Sequence, residues 1–157
     1  MVEVSRERRI EAPPDRIWPL VDEPARLSEW FSFAERVETL GGERVGRRRR
    51  VHGRWRRKQS EVDQVITAHE PPRLLQWRHE AERLDGKPAP RLARETVFTI
   101  RLDPDGSDTR VRLHSQQEPA TALRGVVMRL FAAREIGQHL DRSLDALERV
   151  ATAPAQQ

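Results

Sequence analysis

The chain has 157 residues, 36% hydrophobic and 34% charged, enough for one domain with a real core and too few for two. Its 29 basic and 25 acidic residues leave a formal net charge of only +4, and every basic residue except Lys58 and Lys87 is arginine. There is no cysteine, which excludes disulfides, thiol nucleophiles and thiolate metal sites, and no stretch approaches the roughly 20 apolar residues that span a bilayer. The N-terminus lacks the apolar run of a signal peptide, so a cytoplasmic protein is the expectation.

In chain order, residues 2–11 alternate, with Val2, Val4 and Ile10 on one face, and predict a first strand. Pro13 and Pro14 stop it. Proline tolerates the first helical turn and Asp15 suits its positive end, so a short helix is expected to Val21, with Ile17, Trp18 and Val21 as its apolar side. Asp22-Glu23-Pro24 restarts the chain into a second short helix ending near Trp30. Strands are then expected at 33–40, closed by Gly41-Gly42, at 45–53, and at 58–69, closed by Pro71-Pro72. Another covers 73–80, with Leu75, Trp77 and His79 on one side, before a polar, proline-rich loop at 81–92. The last two strands, 94–102 and 109–117, flank the turn Asp103-Pro104-Asp105-Gly106.

From Thr121 to Val150 the apolar residues Leu123, Val126, Val127, Leu130, Phe131, Ile136, Leu140, Leu144 and Leu147 recur at steps of three and four. That spacing lines one face of a long helix, which must bury it against the sheet made by the earlier strands. The expected architecture is α+β: a seven-stranded, curved antiparallel sheet wrapped around a long C-terminal helix, with two short helices between strands 1 and 2. Residues 1–151 form one domain and 152–157 a disordered tail. A sheet bending away from its helix leaves a space between them.

The stretches APPDRIWPLV at 12–21, DEPARLSEW at 22–30, HEPPRLL at 69–75 and GSDTRV at 106–111, with the closing Leu-rich helix, carry a resemblance over nearly the whole chain. In order and spacing they resemble the SRPBCC superfamily, the helix-grip group of START domains, the birch pollen allergen fold and polyketide cyclase/dehydrase-like proteins. These are scaffold motifs, so the resemblance implies a cavity for a hydrophobic or amphipathic small molecule and no particular reaction.

Trp18 and Trp30 read as packing residues that close one end of the sheet. By analogy with the family, the face carrying Trp77 and His79 looks inward. Phe98, Ile100, Leu113, Ser115 and Gln117 continue that concave surface, and Val127, Met128 and Phe131 close it from the helix. Two readings of this pocket stay open. One is a binder of a small lipophilic molecule, with or without an acid group. The other is a cyclase- or dehydratase-type enzyme in which His79 is a general base and Arg48 or Arg50 polarises a carbonyl.

No pair among His52, His69, His79, His114 and His139 is spaced three or four apart, so no metal site is expected, and nothing calls for a cofactor. Arg47 to Arg50, followed by Arg54, Arg56, Arg57 and Lys58, could serve as an anion-recognising rim of the pocket, or as a nucleic-acid or protein surface with Trp55 as a stacking residue. In a strand, however, only half of these share a face, and Glu35, Glu38, Glu43, Glu61 and Asp63 can pair with them across strands. Arg6 and Arg8 share the parity of Val4 and Ile10. On a concave face they need an acidic ligand group or a bulge that turns them outward.

Overall fold

The computed structural model describes residues 1–154. Strand β1 (Val2–Ile10) leads to helix α1 (Pro14–Asp22) and a 3-10 helix (Pro24–Glu29). Strands β2 (Arg36–Gly41), β3 (Arg48–Trp55), β4 (Lys58–Glu70), β5 (Leu74–Leu84), β6 (Lys87–Pro88), β7 (Ala93–Asp105) and β8 (Asp108–Pro119) follow. The C-terminal rod comprises α2 (Ala122–Val127), a π-helical turn (Met128–Ala132) and α3 (Ala133–Ala151). The sheet is antiparallel throughout, in the order β1-β8-β7-β5-β4-β3-β2, with β6 paired only to β5. This is the helix-grip α+β fold. No helix among the described residues is long and apolar enough to cross a membrane. Residues 155–157 of the expected tail lie outside the described residues.

Period-two alternation sets the inner face of the sheet. Rows of paired residues run across it: Ile66, Trp77, Phe98, Ser115 and Val4 in one, and Leu75, Ile100 and Leu113 in the next. α3 lays Ile136, Leu140, Leu144 and Leu147 on this face, all buried. Each is worth about 1.5–3 kcal/mol when taken out of water. α1 and the 3-10 helix close one end with Ile17, Leu20, Val21, Leu27 and Trp30, whose indole N–H donates to the Leu20 carbonyl at 2.7 Å.

Four expectations change. Residues 81–84 extend β5, and a hairpin turn at Asp85 and Gly86, both with positive φ (50° and 78°), joins it to β6. An Asp-Gly pair favours this turn because both central residues must enter the left-handed region. Arg6 and Arg8 do lie on the side facing the rod, with no bulge in the β1 register, and carboxylates of α3 answer them. Asp141 meets Arg6 at 3.2 Å, and Asp145 and Glu148 of α3 meet Arg8. The second short helix is a 3-10 helix. Lastly, the rod does not carry one apolar stripe. Through α2 and the π turn its inner residues are Gly125 and Met128, whereas Leu123, Val126, Val127, Leu130 and Phe131 face outward.

Candidate ligand-binding site

The inner face has an aromatic floor and a polar belt above it. Trp77 and Phe98 stack with ring centroids 4.7 Å apart, and Phe31, from the segment after the 3-10 helix, meets them edge-on at 5.7 and 5.3 Å. The belt comprises Arg49, Gln64 and His79, paired across β3, β4 and β5, then Thr96 and Gln117 across β7 and β8. Between the two halves the sheet is notched. β5 pairs with β7 only from Leu74 to Arg78, and beyond that the strands part. A hollow of about 170 Å³ lies in the notch, bordered by His79, Glu82, Ala89, Arg91, Ala93 and Thr96 among others. A larger hollow of about 450 Å³, at Arg9, Glu11, Asp108, Glu148 and Thr152, is a charged surface depression at the far end.

Arg49 is the unusual member of the belt. Its side chain is fully buried, with 0% exposure. Its Nε donates to Gln64 Oε1 at 2.8 Å, and its guanidinium carbon lies 4.5 Å from the centroid of the Trp77 ring. Neither Nη1 nor Nη2 has a hydrogen-bond partner, nor has the buried indole nitrogen of Trp77. Burial, helped by the neighbouring positive charge of Arg47 and opposed by Asp22, pushes the guanidinium down to about 9. It therefore remains charged at neutral pH, stabilised by one amide oxygen and one aromatic face.

His79 owes its setting to a β-bulge. The register of β5 against β4 slips between the pairs Asp63–Ala81 and Gln64–His79, so two residues three apart reach the same side. His79 Nδ1 then contacts Glu82 Oε1 at 2.8 Å, and this hydrogen bond holds the Glu82 carboxyl below its ordinary range.

Of the residues expected at the pocket, Trp77, Phe98, Ile100, Leu113, Ser115 and Met128 are buried, and His79 and Gln117 are half-buried on the same face. Val127 (38% exposed) and Phe131 (59% exposed) are not brought to it, because the π turn orients Met128 inward and leaves them outside. Arg48 and Arg50 lie on the opposite face of the sheet from His79. There they pair with Glu80 at 2.9 Å and Asp63 at 2.7 Å. The set His79 with Arg48 or Arg50 is thus not assembled.

Of the other basic residues in the run, Arg47, Arg54 and Arg56 are answered by carboxylates, and on the neighbouring strand so is Arg83. Arg54 meets Glu35, Arg83 meets Glu61 and Asp63, and Arg56 meets Glu135. That outer face is a cross-paired, mixed-charge surface rather than a continuous positive one. The pocket expected from the sequence does not include Arg49, Gln64, Thr96, Glu82 or Phe31. For Arg49 the signal is present: it shares the parity of Val51 and Gly53, both buried.

A family model described as "Polyketide cyclase / dehydrase and lipid transport" matches residues 1–152. Among solved structures, TTHA0849 from Thermus thermophilus is similar with a TM-score of 0.76 at 20% identity, covering 99% of this chain and 100% of that one. A protein from Arthrobacter aurescens gives 0.74 at 18% identity, with 98% and 88% covered. Ara h 8.0201 gives 0.72 at 13%, with 96% and 97% covered. At these identities the likeness shows a shared fold. No curated protein matches the chain by sequence.

Proposed function

The chain belongs to the polyketide cyclase/dehydrase and lipid transport family, and we propose that it binds a small, mainly apolar molecule whose anionic group is held by Arg49. The observation that carries this reading is the enclosed guanidinium with two unpartnered nitrogens. An uncompensated buried charge costs several kcal/mol, and a carboxylate or similar oxyanion is the partner that offsets it through paired, charge-assisted bonds. The Trp77 N–H supplies a third donor on the same floor. The molecule's apolar body packs on Trp77 and Phe98, and entry is through the notch between β5 and β7.

At about 170 Å³ the notch is smaller than the ~300–1,000 Å³ usual for ligand sites, so binding must displace side chains. Phe31 is the ring best placed to yield, because a loop rather than a strand carries it. The Glu82 carboxylate at the rim disfavours an acid group there and directs it inward to Arg49.

The test is fluorescence titration with cis-parinaric acid and with its methyl ester. The acid is expected to bind at least about ten-fold tighter than the ester, and Arg49→Met to abolish that preference. Equal affinity of wild type for acid and ester contradicts the proposal.

A second reading, proton transfer on the bound molecule as in a cyclase or dehydratase, is favoured by one contact, the 2.8 Å hydrogen bond between His79 and Glu82 on the same inner face. A carboxylate-oriented imidazole at the mouth of an apolar site is a competent base. It requires turnover that His79→Ala abolishes while ligand affinity is retained.

A further inference from the structure

The start of the C-terminal rod departs from the rest of the surface. Leu123, Val126, Val127, Leu130 and Phe131 are 74, 49, 38, 65 and 59% exposed and recur at steps of three and four, so they form one outward apolar face. The same segment is held from behind by Gly125, which packs on Pro119, and by the buried Met128. Residues 119–134 contain three arginines, Arg124, Arg129 and Arg134, and no acidic residue. Arg124 and Arg129, both exposed, are interleaved with these apolar residues along the segment. Among the described residues none of the three takes part in an ion pair, whereas the arginines of β1 and β3 are mostly matched by carboxylates. The segment after β6 adds Arg91, whose carbonyl accepts a hydrogen bond from Arg124.

We propose that this face docks the protein onto a bilayer surface carrying anionic lipids. Contiguous apolar surface of this kind is uncommon on a free monomer and marks a surface made to be covered. An apolar helix face interspersed with arginines fits the interfacial zone: Leu and Phe enter the acyl boundary while guanidinium groups stay with the headgroup phosphates. The charge also disfavours the simplest competitor, a second copy of this chain. A two-fold contact would set the same patch against itself, bringing arginines together with no carboxylate in the segment to answer them. The segment lies on the surface without spanning it. This inference stands apart from Arg49, since neither needs the other to be right.

The test is co-sedimentation of the full chain with vesicles of phosphatidylcholine alone or mixed with phosphatidylglycerol. Binding to the anionic vesicles is expected to be at least about ten-fold tighter, and to weaken as salt is raised. Leu130→Ser with Phe131→Ser should lose that binding by about ten-fold or more with an unchanged melting temperature, since both side chains are already exposed. Arg129→Gln with Arg134→Gln should reduce the preference for anionic over neutral vesicles. Absence of wild-type binding to phosphatidylglycerol vesicles overturns the proposal, as does undiminished binding by the serine variant. A wild-type dimer in light scattering that the serine variant converts to monomer also overturns it, by assigning the face to a second copy.

Discussion

Replacing Arg49 with methionine removes a buried charge at little cost in volume, and the structure gives the size of the effect. A guanidinium pushed from its ordinary value down to about 9 is disfavoured in the folded state by about 5 kcal/mol at neutral pH. Losing its contact with the Trp77 face gives back roughly 2 kcal/mol, and orphaning the buried Gln64 oxygen roughly 2 more. Arg49→Met alone should therefore be stabilising by about 1 kcal/mol in ligand-free protein. With Gln64→Met added, donor and acceptor leave together and the gain should reach about 3 kcal/mol, a rise of roughly 6–12 °C in melting temperature.

Thermal melts followed by circular dichroism measure both variants. The pH profile gives an independent check. The folded-state value lies below the unfolded one, so the penalty is complete below about 9 and is relieved as pH rises through that value toward the ordinary guanidinium value. Wild type should gain stability in that window relative to Arg49→Met. A double variant destabilised by about 2 kcal/mol or more would show that the guanidinium is already well compensated, and the reasoning fails.

Three further outcomes follow from individual contacts. A Cβ at Gly53 would lie 2.1 Å from the Phe33 carbonyl oxygen, a backbone atom, so Gly53→Ala should cost about 1–3 kcal/mol and lower the melting temperature. An unchanged melting temperature would mean that β3 and the residue-33 segment are not apposed. Burial, reinforced by Arg142, holds His139 below 6.5 where it stacks on Phe33 at 4.4 Å and contacts Ser32 Oγ at 2.7 Å. Its contribution to stability is therefore present above 6.5 and lost as pH falls through the lowered folded-state value, and His139→Gln should flatten that part of a denaturant-midpoint profile. A profile identical to wild type would place the imidazole in solvent. Glu82→Ala should raise the His79 imidazole's accessibility to diethyl pyrocarbonate by removing its 2.8 Å partner, and equal modification rates would mean the pair does not form in solution.

Much of the fold was legible because it follows from periodicity. The alternation of Val2, Val4 and Ile10, the proline stops at 13–14 and 71–72, and the Leu-rich end each act locally. The Asp85-Gly86 turn was equally local, but lies among residues whose polarity suggests a loop. The π turn was not legible, since Leu123, Val126 and Leu130 fit a buried stripe as well as an exposed one. Only tertiary packing selects Met128 for the inside. The site was half legible. Trp77, Phe98 and Ser115 follow from strand parity, and so does Arg49, whose charge argues against burial unless a partner is supplied. The His79–Glu82 pair depends on a bulge, which moves Glu82 to the inner face against the count of alternate residues.

The four tryptophans provide the most direct measurement. In a ¹H–¹⁵N spectrum the indole N–H of Trp77 and the Nε–H of Arg49 report on the aromatic floor. The Trp30 N–H, already bonded to the Leu20 carbonyl, serves as an internal reference. Titration with a fatty acid is predicted to move the Trp77 and Arg49 signals together and to leave Trp30 nearly in place. Shifts confined to the exposed face of the rod, with Trp77 and Arg49 unmoved at saturation, would contradict a ligand site beneath the helix.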